Sequence, residues 1–127
     1  MLLVYPVFVL GTVYTITLRS DLPGGRNGPR DAYRHSLASA IVAYTASPRL
    51  VDWVSATMDG GDGISHRMDT NNRIGARIGA AATGWTAMLA AVRTAVDGGD
   101  VVADGAEIDA ATRIVWLPAN QWHERLF

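Results

Sequence analysis

Two short stretches of the sequence carry side chains that could perform acid–base or metal chemistry. In the first, Asp31 and His35 stand four positions apart, so a helix would place them one turn from each other on one face. An aspartate in that position can orient a histidine that acts as a general base. The second stretch adds His66 and Asp69. Because histidine and carboxylate ligands suit zinc and similar ions, His35, His66 and Asp69 are candidate ligands of a divalent metal.

The same two stretches contain side chains that could bind the charged part of a substrate. Arg34 precedes the histidine of the first stretch, and Asn71 and Asn72 follow the aspartate of the second. A guanidinium and amide groups can hold a phosphate or stabilise an oxyanion. The alternative is structural: these residues would form a hydrogen-bonded network between two helix N-termini, with the asparagines as caps. None of the spacings is a specific metal motif, since HExxH is absent.

The composition excludes several classes of function. The chain has 127 residues, which suits one domain over residues 1–127. Its net charge is −1, so it carries no electrostatic footprint for nucleic acid. It contains no cysteine, which excludes disulfides, thiolate zinc ligands and a cysteine nucleophile. All its basic side chains are arginine, which excludes a catalytic lysine. Proton transfer must therefore use His, Asp, Glu or Tyr.

The first stretch opens a helix with a well-marked start. Gly28 or Asn27 can cap it, and Pro29 suits its first turn. Apolar residues then recur at helical spacing to about Ala46, and Arg34 falls near the centre of their arc. A charge in that position is costly unless it is paired or bound to something.

The second stretch predicts a helix with a ridge of small residues. The ridge consists of Asn72, Gly75, Ala76, Gly79, Ala82 and Thr83. Such a ridge lets another helix approach closely. If the partner is the first helix, the polar side chains of both stretches converge. The helical pattern then continues to Val96, with a kink expected at Gly84.

Residues 1–18 contain no charged side chain, and three structures are open for them. Their apolar side chains repeat at helical spacing, which favours a buried core helix. The repeating residues are Leu3, Val7, Leu10, Tyr14 and Leu18. The length is marginally sufficient for a membrane anchor, and the abundant Val, Thr and Tyr would also suit strands.

The remaining segments complete a mainly α fold. Ser47 and Pro48 predict the start of another helix. Near the C-terminus, Asp104 and Gly105 lie between two short runs of strand-forming residues, which predicts a hairpin, and residues 113–117 are a further strand candidate. The predicted fold is a compact helical domain with a small C-terminal β-hairpin.

The two stretches resemble the motifs of a bacterial family. Residues 31–35 read Asp-Ala-Tyr-Arg-His, and residues 68–79 read Met-Asp-Thr-Asn-Asn-Arg-Ile-Gly-Ala-Arg-Ile-Gly. The family is a poorly characterised, mostly helical domain of secreted and polymorphic-toxin-like proteins. The resemblance covers residues 27–79 and implies a shared site of Asp31, Arg34, His35, Asp69, Asn71 and Asn72. It implies no established reaction, and the aromatic residue that members often carry a turn after the histidine is missing here.

Two functional hypotheses follow. The first is a hydrolase, a bacterial toxin or effector acting on a cell-envelope or lipid substrate, with His35 as base or metal ligand and Asp31 and Asp69 as its orienting residues or co-ligands. Such a protein would be secreted or membrane-associated and would bind an immunity or inhibitor protein. The second is a non-enzymatic membrane-active or interaction protein, in which the polar cluster is a structural network.

Overall fold

The computed structural model describes residues 4–46, 66–102 and 113–124. Within these ranges lie four helices: α1 (Val4–Arg19), α2 (Pro29–Thr45), α3 (His66–Ala81) and α4 (Trp85–Asp97). They are accompanied by two short strands, β1 (Asp100–Val101) and β2 (Val115–Trp116), and by a 3-10 turn over Ala119–Gln121. The prediction of a mainly helical domain with a small sheet near the C-terminus is confirmed.

The central element of the fold is α2. Its side chains from Asp31 to Ala43 are all buried, and Leu37 and Ile41 are fully enclosed. The other three helices all pack against it. A helix that is buried on every side leaves its polar groups dependent on protein partners rather than water. The polar residues of α2 must therefore be satisfied by its neighbours.

The most extensive of these contacts is the one between α2 and α3, which run parallel at very close separation. A Cβ atom added at Gly75 would clash with the backbone of Ser36, and one at Gly79 would clash with the backbone of Ala40. Both pairs advance by four residues in the same direction, so the N-termini of the two helices lie at the same end. The predicted close approach is thus confirmed at Gly75 and Gly79, and the two helix starts lie together as predicted. Ala82 and Thr83 of the predicted ridge lie beyond the end of α3.

For α1, the structure confirms a helix but not the predicted buried face. Val9 and Val13 are fully buried, whereas Val7 and Leu18 are 66% and 50% exposed. The helix carries no charge before Arg19, and it is apolar on almost every side. Periodicity alone therefore could not identify the side that packs against the core. None of the described helices has the length and hydrophobicity needed to cross a membrane.

The segment predicted as one kinked helix forms two helices. The helical backbone of α3 ends at Ala81, and Gly84 caps α4 in an extended conformation. Met88 and Val92 of α4 then pack into the core. Glycine and a run of small residues do little to hold a helix together, so the helix breaks here instead of bending.

The two strands pair in parallel, with Asp100 beside Val115 and Val101 beside Trp116. The described pair is therefore not a hairpin, because a hairpin joins antiparallel strands. The predicted turn at residues 104–105 and the predicted helix beginning at residue 47 lie outside the described residues.

Arg93 of α4 holds the segment that follows α1. Its Nη1 atom lies 2.7 Å from Asp21 Oδ1, and its Nε–H donates to Asp97 Oδ1 at 2.9 Å. The hydrogen bond from Arg93 holds the pKa of the Asp21 carboxyl below its usual range. Because Asp21 is exposed, this pair contributes little to stability.

Candidate functional site

A buried ion pair lies at the N-terminal end of α2. Arg34 donates to Asp31 Oδ1 from Nη2 at 2.6 Å and from Nε at 3.0 Å. The other oxygen, Oδ2, accepts the backbone N–H of Asn27 at 2.9 Å. Asp31 and Arg34 are only 1% and 3% exposed. Both carboxylate oxygens are thus hydrogen-bonded, which is what a buried charge requires.

Tyr14 of α1 is a further partner of Arg34. The Nη1–H of Arg34 donates to the Tyr14 hydroxyl at 2.8 Å, and the guanidinium carbon lies 5.7 Å from the centre of the ring. Sequence reasoning missed Tyr14 as a site residue, since it is 20 positions away and was placed among the core residues of α1. The signal available was its hydroxyl, which needs a partner when the ring is drawn into a core.

His35 is buried beside the ion pair. Its Nε2 atom lies 3.1 Å from Arg34 Nη2 and 3.6 Å from Asp31 Oδ1. A guanidinium can only donate, so Nε2 accepts this hydrogen bond and the neutral ring carries its proton on Nδ1. The closest partner of Nε2 in this group is therefore Arg34, and Asp31 orients the ring mainly through it. The sequence predicts that Asp31 and His35 lie in one polar cluster, and the structure places them there with Arg34 as their common partner.

Asn71 joins α3 to β2. Its Nδ2–H donates to the Val115 carbonyl and its Oδ1 accepts the Val115 N–H, both at 2.8 Å. The side chain is fully buried, and its amide exchanges two hydrogen bonds with the Val115 backbone as a neighbouring strand would. Asn71 thus anchors β2, and its predicted contact with a substrate stays a prediction.

Asn72 is 2% exposed, and neither polar atom of its amide has a hydrogen-bond partner among the described residues. It lies one turn before Gly75 on α3, at the end of the helix pair that carries the cluster. A buried polar group without a partner costs about 1–3 kcal/mol. Native structures contain few such groups, and each one calls for an explanation.

A narrow cleft, too small to hold a water molecule, lies beside this cluster. It is lined by Asn27, Gly28, Asp31, Ala32, Asn71, Val115 and Trp116. Asp31 is the member of the cluster that lines the cleft, and β2 forms one of its walls.

The structure brings Asp31, Arg34 and His35 together and places Asn71 and Asn72 at the same end of the helix pair. The backbone of His66 and Asp69 is helical, but their side chains lie outside the described part of the chain. Their predicted roles stay predictions. Among the side chains that are described, no group of three His, Asp or Glu residues could hold a metal ion.

Replacing Asn71 with alanine is expected to release β2 and to lower the free energy of unfolding by about 3 kcal/mol, because the buried N–H and C=O of Val115 lose their partners. Urea unfolding followed by tryptophan fluorescence measures the change. The matched control is Asn120→Ala, an exposed position in the 3-10 turn, which should change stability by less than about 0.5 kcal/mol. Equal effects of the two substitutions would contradict the anchoring role.

The resemblance of residues 27–79 to a bacterial toxin-like family stays a prediction. Comparisons of this chain with protein-family models, with curated proteins and with solved structures find no match.

Proposed function

We propose that this chain is a hydrolase in which His35 is the acid–base residue. The observation that carries the proposal is a buried cluster of Asp31, Arg34 and His35 at the shared end of two parallel helices. Asn72 lies at the same end, and its amide has no hydrogen-bond partner among the described residues. Apolar residues in place of a buried ion pair are often neutral or stabilising. Active sites are the places where proteins keep polar groups that stability alone would not favour.

In this proposal each polar residue has a distinct role. Arg34 fixes the ring of His35 by donating to Nε2, and Asp31 neutralises Arg34. The proton on Nδ1 is then the one that His35 exchanges with the substrate. Asn72 binds the polar part of the substrate through its amide, which would satisfy both of its buried atoms. From α3, Asp69 is the predicted carboxylate that orients His35, and Asp69 and His66 are the predicted metal ligands.

The proposed substrate is part of the bacterial cell envelope. This part of the proposal is supported by the resemblance to secreted toxin-like proteins and by the apolar surface of α1. Val4, Val7 and Phe8 share one face of α1 and are 67%, 66% and 44% exposed, and an exposed apolar patch marks an interaction site. A toxin with such a substrate would act after export.

A second candidate is an interaction protein whose cluster only holds α1 and α2 together. The observation that favours it is the depth of burial: Asp31, Arg34 and His35 are at most 3% exposed, and Tyr14 links them to α1. A substrate could reach such residues only after a local opening.

The substitution His35→Gln separates the two candidates. The glutamine amide oxygen can still accept from Arg34, but the side chain cannot exchange a proton. If His35 is the acid–base residue, hydrolysis should fall at least 100-fold, on the order of general acid–base contributions, with little change in unfolding. If the cluster is only structural, there is no activity to lose, and only the free energy of unfolding in urea changes.

The assay is the growth of a bacterial host that expresses the chain with and without export to the periplasm, together with elemental analysis of the purified protein for bound metal. His123→Gln is the matched control, because His123 is an exposed histidine. A wild type that is metal-free and harmless in both compartments, with His35→Gln strongly destabilised, would reject the hydrolase.

A further inference from the structure

The segment from residue 114 to residue 124 lies at the end of α2 that carries the cluster. Its first part is buried: Ile114, Val115 and Leu117 are at most 4% exposed, and Asn71 anchors Val115. From Pro118 onward the chain runs along the surface. We call residues 118–124 the outer segment.

Two hydrogen bonds fasten the outer segment to the loop that precedes α2. The N–H of His123 donates to the Arg26 carbonyl at 3.0 Å, and Asn27 Nδ2 donates to the Gln121 carbonyl at 3.3 Å. Arg26, Gln121 and His123 are all exposed. Water can replace hydrogen bonds of this kind when they open.

The third fastening is the ring of Trp122. It lies flat against the loop, so that a Cβ atom added at Gly24 would come within 2.9 Å of it and one at Gly28 within 3.0 Å. Its Nε1–H donates to the Leu117 carbonyl at 2.6 Å. Only glycine lets the ring approach the backbone this closely at both positions.

The loop connects the outer segment to the cluster. Asn27 bonds to the outer segment through its side chain, while its backbone N–H donates to Asp31 Oδ2. Asn27 and Gly28 also line the narrow cleft beside Asp31. Asn27 therefore joins the outer segment to the Asp31 carboxylate and to the wall of the cleft, while its own carbonyl accepts the N–H of Leu117 at 2.8 Å.

We propose that the outer segment is a latch that opens to admit substrate to the Asp31–Arg34–His35 cluster, an inference that rests on the proposed hydrolase function of that cluster. The closed state leaves these residues at most 3% exposed. The latch is held by exposed hydrogen bonds and one ring, whereas β2 stays anchored through Asn71. Elements held in this way open locally at a fraction of the free energy of global unfolding.

The chain contains no cysteine, so a single introduced thiol reports local opening cleanly. Ala32→Cys places the thiol in the wall of the cleft, at a site that is 2% exposed. Ala38→Cys places it in the middle of the same helix, at a site that is 1% exposed and away from the cleft. Labelling of the folded protein with iodoacetamide measures how often each site opens.

Each reporter is combined with Trp122→Ala. Trp85→Ala is the matched tryptophan control, because Trp85 of α4 lies beside Tyr44 at the opposite end of α2. We expect Trp122→Ala to accelerate labelling at position 32 at least tenfold, with labelling at position 38 unchanged. Trp85→Ala should leave the ratio of the two rates as in the parent. Equal acceleration at both positions, or none at position 32, would overturn the latch. If Trp122→Ala does not fold, Trp122→Phe supplies the same comparison, because it keeps a ring on the glycines and removes the Nε1 donor.

A disulfide between Arg26→Cys and His123→Cys would lock the latch, since these backbones are already hydrogen-bonded. Oxidation should slow hydrogen exchange of the amides of residues 27–32, and reduction should restore it. Exchange that oxidation leaves unchanged would count against the latch. If exchange and labelling respond but neither locked nor open protein is active, the hydrolase proposal fails, and only the opening of the outer segment stands, without a substrate to admit.

Discussion

Alanine at Gly75 or Gly79 is expected to destabilise the protein by at least about 3 kcal/mol, at the upper end of the cost of overpacking a core. The added methyl would clash with the backbone of α2 at Ser36 or Ala40. Backbone cannot rotate away as a side chain can, so the two helices must separate. Domains are typically stable by only about 5–15 kcal/mol, so each substitution would remove a large part of the total. Urea unfolding of the two single variants measures the effect.

The matched control for this prediction is Gly11→Ala. Gly11 lies within α1, and a Cβ atom there would meet nothing within 4 Å. Alanine should therefore stabilise the protein by about 0.5–1 kcal/mol through helix propensity alone. The stability changes at Gly11 and Gly79 should therefore have opposite signs. This difference distinguishes a glycine required for close approach from one that is merely tolerated. Unchanged unfolding of Gly79→Ala would mean that α2 and α3 do not touch.

Replacement of Arg34 by methionine is the second large effect, with an expected loss of about 3–5 kcal/mol, since it leaves the Asp31 carboxylate buried without its cation. The backbone N–H of Asn27 would remain as one donor. Chemical denaturation at neutral pH measures the loss. Arg77→Met is the matched control, because Arg77 is exposed on α3, and it should change stability by less than about 0.5 kcal/mol.

The double variant Asp31→Leu/Arg34→Met sharpens the test. Removal of both charges leaves no uncompensated ion, so the double variant should be more stable than Arg34→Met alone, with a coupling energy of about 2 kcal/mol. Under the hydrolase proposal this variant folds and is inactive. Additive losses in the cycle would contradict a direct ion pair.

The helix contact and the cluster could be predicted because their signals are local. Gly75 and Gly79 weaken a helix at a spacing of one turn, and only a close neighbour explains both. Arg34 falls on an apolar arc, where a charge requires a partner nearby, and Asp31 lies one turn before it. These inferences needed only the periodicity of a helix and the cost of a buried charge.

Other features depend on tertiary contacts that leave no local pattern. Asn71 was expected to cap a helix or bind substrate, but its partner, Val115, is 44 positions away. Tyr14 was assigned to the core, and its bond to Arg34 appears only when α1 is docked on α2. The prediction of which side of α1 is buried was wrong, because a helix that is apolar on almost every side does not specify its buried face. The parallel pairing of the strands likewise depends on which segments meet.

The parallel packing of α2 and α3 also has a consequence for how the chain folds. The contacts of Gly75 with Ser36 and of Gly79 with Ala40 each join residues 39 positions apart. The carboxyl end of α2 and the amino end of α3 lie at opposite ends of the pair, about 25 Å apart for a 17-residue helix. Helices in proteins gain most of their stability from tertiary packing, so each of these two helices depends on the other. The entropy of closing this loop must be overcome before any contact between them forms. Docking of α3 on α2 is therefore expected to limit the folding rate, and the chain should refold more slowly than bundles built from helical hairpins.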